Sequence, residues 1–158
     1  MNLLRNLLIY SLLPGLFLLS SCQYQEEIDT EYPVIDADFA ETFPQQCSIL
    51  TKGETFTFKA RFTDNVQLGS FSIDIHHNFD HHTHSTEVND CDMEPVKEAE
   101  NPFLFIQNYP IPEGQREYVA EFEMEIPEDV DSGDYHFMIR LTDEEGWQTI
   151  RGISIKIE

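Results

Sequence analysis

From residue 34 to the C-terminus, apolar and polar positions alternate with a period of two over most of the chain. This is the pattern of strands with one face buried and one exposed. The cleanest run is 55–63, where Phe56, Phe58, Ala60 and Phe62 share one face and Thr57, Lys59 and Arg61 the other. A first strand is predicted over 34–39, with Ile35, Ala37 and Phe39 inward, and Ser48, Ile49 and Leu50 lead into a turn at Lys52 and Gly53. Residues 70–76 put Phe71, Ile73 and Ile75 inward and Ser70, Ser72, Asp74 and His76 outward. A short strand over 103–109 ends at the Pro110 and Pro112 breaks. Residues 117–126 alternate again, with Tyr118, Ala120, Phe122, Met124 and Ile126 inward. After a turn at 143–146 the last strand covers 147–157, with Ile153, Ile155 and Ile157 inward and Gly152 expected at a bulge.

Asp131-Ser132-Gly133-Asp134-Tyr135-His136-Phe137 is the sharpest fold signal. Asp-x-Gly-x-Tyr-x-Phe resembles the tyrosine corner of immunoglobulin-like domains, with Tyr135, Phe137, Ile139 and Leu141 inward and His136, Met138 and Arg140 outward. The stretch from Asp129 also resembles the start of a calcium loop, but its glycine comes one residue early and Arg140 stands where the closing glutamate belongs. The corner is the better reading. No segment has a helical period. The expected fold is all-β, an immunoglobulin-like β-sandwich of about seven antiparallel strands.

Between the strand at 70–76 and the one at 103–109 lies a polar segment, 78–101, too long for an ordinary connection and therefore functional, stapled or both. Its beginning holds the chemistry. His76, His77, His81, His82 and His84 account for all but one of the six histidines, with Asp74 and Asp80 among them. In an immunoglobulin-like sandwich the strands at 70–76 and 135–141 are antiparallel neighbours, which sets His76 opposite or diagonal to the distant His136. A slip of one residue would put the two on opposite faces. His82 and His84, spaced two apart, point to one side of an extended segment. The predicted ligands are His76, His81, His82, His84 and His136, with Asp74 and Asp80 as ligands or as partners that orient a ring. His77 falls on the core side. Imidazoles in this number suit zinc or copper, although a histidine-rich surface tract also binds such ions weakly and without function.

The N-terminus adds an address. Arg5 and an apolar run over 7–19 end in Leu19-Ser20-Ser21-Cys22, which resembles a lipoprotein signal peptide (1–21) with Cys22 as the acylated first residue of the mature chain. Residues 22–31 read as a lipidated cysteine with a flexible acidic tether, leaving 32–158 for the sandwich. No aspartate follows Cys22, and Gln25-Glu26-Glu27 looks like the acidic export tag of surface lipoproteins of the Bacteroidota. The expected location is the outer membrane, lipid-anchored and facing outward. In that oxidising setting Cys47 and Cys91 form an even pair, expected as a disulfide; two thiolate ligands are the alternative. Thirty acidic against nine basic residues give a net charge of −21, which excludes a nucleic-acid partner and polybasic membrane docking. With 41% hydrophobic residues, twelve of them phenylalanine, the chain still has material for a core.

From Gly53 to the end, with IDIHHNFDHHTHS, GDYHFMIRLTDEEGWQT and a closing ISIKI, the chain resembles an uncharacterised family of Bacteroidota envelope lipoproteins, domain of unknown function 4625. The resemblance implies a lipid-anchored immunoglobulin-like domain and metal binding by the histidines. It implies no activity. The function expected is therefore capture of zinc or copper at the cell surface, with delivery to an outer-membrane uptake receptor. The alternative is an interaction module for a protein or glycan in which the metal is structural. Nothing points to an enzyme: there is no nucleophile arrangement, and the glycine-flanked histidine spacing of copper–zinc superoxide dismutases, the enzymatic alternative, is missing.

Overall fold

The computed structural model describes residues 28–84 and 91–158. Strands β1 (Val34–Ile35), β3 (Thr55–Thr63) and β6 (Glu117–Glu125) form one sheet in the order β1-β3-β6. Strands β2 (Ser48–Leu50), β8 (Gln148–Ile157), β7 (Gly133–Asp143), β4 (Leu68–His77) and β5 (Phe105–Pro110) form the other, in the order β2-β8-β7-β4-β5. The protein is an all-β sandwich, as its alternation predicts. The described residues contain eight strands, and the short β2 pairs parallel to β8 while every other pairing is antiparallel.

The inward set read from the period of two makes the core. Phe58, Phe62, Ile73, Ile75, Ile126, Tyr135, Phe137, Leu141 and Ile157 are essentially without solvent exposure. Phe58 and Phe71 stack with ring centroids 6.3 Å apart across the two sheets, and Phe58 meets Phe137 at 5.8 Å. The tyrosine corner is formed: Tyr135 Oη donates to the carbonyl of Asp131 (2.6 Å) and accepts from the Phe103 amide (3.1 Å).

Departures from the predicted pattern have identifiable partners. The strand predicted over 34–39 stops at Ile35, because Asp36 bonds its carboxylate to the Asp38 amide (2.9 Å) and to the Arg61 guanidinium, turning the chain away. Ala37 is consequently exposed. The short fifth strand begins at Phe105 instead of 103. Gly152 makes no bulge; it pairs in regular register with Met138. The irregularity lies at Gly69 in β4, where a Cβ would come within 2.5 Å of the Asp143 carbonyl oxygen, a distance no side chain tolerates. Asp29, expected in the tether, is buried and bonded into the domain.

Cys47 and Cys91 form a disulfide. It fastens the far part of the 78–101 connection to the β2–β8 end of the larger sheet, where the Cys47 amide donates to the Ser154 carbonyl (2.8 Å). Further ties follow: the Glu94 amide donates to Asp134 Oδ2 (2.7 Å), and the Glu100 and Asn101 amides to Asp131 Oδ2 (both 2.8 Å). These bonds tie the described part of the connection from Cys91 to Asn101 to the sheet and satisfy the Glu94, Glu100 and Asn101 amides.

Candidate metal centre

Strand register settles the first half of the site. His76 on β4 is the direct cross-strand partner of His136 on β7, in a run of unbroken pairs from Ser70↔Thr142 to His77↔Tyr135. Both point to the face opposite the core. His136 is nevertheless fully buried, at 0% exposure, because the chain after β4 folds back over it. Alternation fixes only the face on which a side chain stands; the covering segment is a tertiary event.

The fold-back has identifiable hinges. The Asn78 amide donates to the Asp134 carbonyl (2.8 Å), and His81 adopts a left-handed φ of 58° that reverses the chain. Phe79 is buried against Tyr135 (5.3 Å) and His77 (4.9 Å), with the Lys97 ammonium 4.4 Å from its ring centroid. Nothing in the alternation of the chain assigns Phe79 a role. Its only signal was a large apolar side chain inside an otherwise polar tract. It is the residue that pins the histidine segment to the body of the domain.

Four histidines converge as a result. His76, His82, His84 and His136 each offer a ring nitrogen within 4.8 Å of those of the others. Ring centroids lie 5.6 Å apart for His76–His82, 5.2 Å for His76–His84, His76–His136 and His82–His84, and 4.7 Å for His82–His136 and His84–His136. Six nearly equal separations among four points define a tetrahedron. Donors about 2.05 Å from a tetrahedral zinc ion sit about 3.3 Å from one another. The His76 and His84 Nε2 atoms are 3.1 Å apart.

Tautomers are set from outside the cluster. His76 Nδ1 donates to Asp74 Oδ1 (2.7 Å) and His82 Nδ1 donates to Asp80 Oδ1 (2.6 Å). With Nδ1 protonated, each ring presents a lone pair at Nε2. The two pairs share the spacing Asp-x-His; on β4 the extended chain puts Asp74 and His76 on one side, while Asp80 and His82 meet across the left-handed turn at His81. A carboxylate behind a ligating imidazole raises its basicity and holds its plane. The bond from His82 also keeps the Asp80 carboxyl below the usual carboxylate range. His136 is set the other way round: its Nε2 donates to the His82 carbonyl (3.1 Å), which directs the lone pair to Nδ1.

Of the residues predicted as ligands, His81 departs. Its Nε2 donates to the Glu94 carbonyl (2.8 Å) and its ring is outside the group of four. The same left-handed turn that brings His82 over His136 carries His81 to the other side. Asp74 and Asp80 stand behind the rings as orienting partners and contribute no donor to the cluster. His77 falls on the core side as its parity required, half-buried beside Phe79. Cys22 lies outside the described residues.

Beside His76 and His84 the outer face of the sheet opens into a hollow of about 270 Å³ lined by Ser72, Ile106, Met138, Arg140 and Ile150. Ile106 is largely exposed there.

No curated protein matches the chain. Among solved structures, a GspB Siglec domain is similar at 20% identity and a TM-score of 0.42, over 82% of this chain and 59% of that one. The chain therefore spans less than two thirds of the length of that structure. The model of one family, the Domain of unknown function (DUF4625), matches residues 20–158, and the chain belongs to that family.

Proposed function

We propose that this protein binds a transition metal, zinc in preference to copper, through His76, His82, His84 and His136, on a domain held by a lipid anchor at Cys22 on the outer face of the outer membrane. The observation that carries the metal assignment is the near-tetrahedral grouping of four imidazoles, two of them fixed in tautomer by aspartate. Divalent copper prefers a tetragonal donor set, so the ring arrangement favours zinc. Four protein donors fill a zinc shell and leave no open position for water or substrate. The reading is therefore capture or buffering of the ion, with release to an uptake receptor, and not catalysis. A net charge of −21 supports it by concentrating cations at the surface.

The test is a zinc and copper titration of the purified mature chain against a chromophoric chelator. One zinc ion is expected to bind tightly, with affinity lost in His82→Ala and His136→Ala and kept in His81→Ala. Wild-type affinity no better than that of His82→Ala would end the proposal. Affinity should fall on acidification, because protons compete with the ion for the imidazole nitrogens. Labelling with a palmitate analogue, lost in Cys22→Ser, tests the anchor.

A second reading has a specific observation behind it. Two donors stand on strands and two on the segment that follows β4, so an ion would join that segment to the sheet and serve an interaction module as a structural part. Limited proteolysis with and without chelator tests this; identical cleavage patterns would remove it.

A further inference from the structure

The β7–β8 turn carries a second cluster with different chemistry. Asp29, Asp143 and Glu145 each bring a carboxylate oxygen within 4.8 Å of the others. Asp143 is seven residues along β7 from His136, about 23 Å at strand rise, so this is a site apart from the histidines. Acidic groups crowd together on many surfaces without meaning. Here the first two are buried, Asp29 at 4% exposure and Asp143 at 3%.

One oxygen of each is already committed. Asp29 Oδ1 accepts from the Glu31 amide (3.0 Å) and from Asn65 Nδ2 (2.9 Å). Asp143 Oδ1 accepts from the Gly146 amide (2.6 Å) and the Trp147 amide (2.7 Å). The other oxygens, Asp29 Oδ2 and Asp143 Oδ2, are buried with no hydrogen-bond partner. Among the described residues no lysine or arginine pairs with any of the three carboxylates. Two orphaned carboxylate oxygens beside a third carboxylate combine desolvation with mutual repulsion, and a folded protein keeps such an arrangement only where something positive satisfies it. The chain holds Asp29 there deliberately: the Trp147 indole donates to the Asp29 carbonyl (3.0 Å), and Tyr32 packs edge-on against Trp147 at 5.0 Å.

We propose that Asp29, Asp143 and Glu145 form a binding site for a hard divalent cation of the calcium class, which ties the segment entering the domain to the β7–β8 turn. An all-carboxylate set selects calcium or a similar oxygen-seeking ion over the zinc that imidazoles take. Three carboxylates supply part of a shell of six to eight oxygens, the remainder falling to carbonyls and water. The two sites thus divide metals by donor type, and occupancy of this one stiffens the chain where it enters the domain at Asp29.

Trp147, the only tryptophan in the chain, supplies the readout. Terbium bound at the cluster is excited through that indole. We expect sensitised terbium emission from the mature chain, displaced by calcium with a midpoint of about 10⁻⁴–10⁻³ M, and a rise in melting temperature over the same calcium range. Glu145→Gln, whose side chain is exposed and leaves the fold intact, should weaken both responses at least tenfold. His76→Ala should leave them unchanged, which separates this site from the zinc reading. The proposal is overturned by absent emission, by emission indifferent to Glu145→Gln (diffuse attraction to an acidic surface), or by stabilisation on mild acidification with no response to calcium, the mark of a shared proton.

Discussion

At the scale of single residues, the division between donors and the groups behind them decides what a substitution does. Asp74 and Asp80 touch the Nδ1 of His76 and His82 and hold no place in the cluster itself. Removing such a partner leaves the lone pair in place but frees the ring to rotate and lowers its basicity, at a typical loss of about 10–100-fold in metal affinity. Asp74→Ala and Asp80→Ala are expected to fall in that range for zinc, while His76→Ala falls far below it and His81→Ala matches wild type. Chelator competition at fixed pH distinguishes the three classes. If Asp80→Ala were as damaging as His82→Ala, the carboxylate would be a ligand and the orienting role wrong. The Asp-x-His pairs were visible in the sequence as spacing. That His81 drops out was not, because it follows from one left-handed residue in a stretch where parity assumes extended chain.

At the scale of elements, Asp131 is the joint between β7 and the long connection. Its carbonyl receives the Tyr135 hydroxyl, while its carboxylate receives the Asn101 and Glu100 amides. Tyr135→Phe removes both hydroxyl bonds and strands the buried Phe103 amide, at about 1–3 kcal/mol. Urea denaturation should show that loss with zinc affinity little changed, since His136 keeps its register. The Asp131 carboxyl is held below its ordinary range, chiefly by the Asn101 amide and then by that of Glu100. A carboxyl depressed in the folded state contributes stability in full above the unfolded value of about 3.9, and the contribution disappears as pH falls through the folded value. Melting temperatures should thus drop on acidification below about pH 4 more steeply in wild type than in Asp131→Ala; parallel curves would deny Asp131 this part. How the elements were read follows the same logic. Strands 55–63 and 117–126 were legible nearly to the residue, because each has one face in the core and one in water. The end of β1 at Asp36 and the irregularity at Gly69 were not, since each depends on a partner distant in sequence, Arg61 in one case and Asp143 in the other.

At the scale of the whole molecule, the disulfide and the histidine cluster share one connection, and the question is whether they act together. Cys47–Cys91 closes a loop of 44 residues, which in the chain-entropy model stabilises the fold by roughly 4 kcal/mol. Its effect on the metal site is a separate quantity. After His84 the disulfide at Cys91 is a tie to the sheet seven residues on, and the bond from the Glu94 amide to Asp134 is another ten residues on. Losing the first lengthens the closure from seven to ten, worth (3/2)RT ln(10/7), about 0.3 kcal/mol, or less than twofold in affinity. Ahead of His82 the ties at Asn78 and Phe79 remain in any case. Replacing both cysteines with serine should therefore lower stability by several kcal/mol while changing the zinc dissociation constant by less than about threefold, measured at a temperature where the variant is still folded. A drop in affinity of a hundredfold would mean that the disulfide shapes the cluster directly, through the Ser154 carbonyl that Cys47 holds beside its cross-strand partner His136. The small effect is the expected one, since the histidines are brought together by strand register and by Phe79, and neither depends on the disulfide.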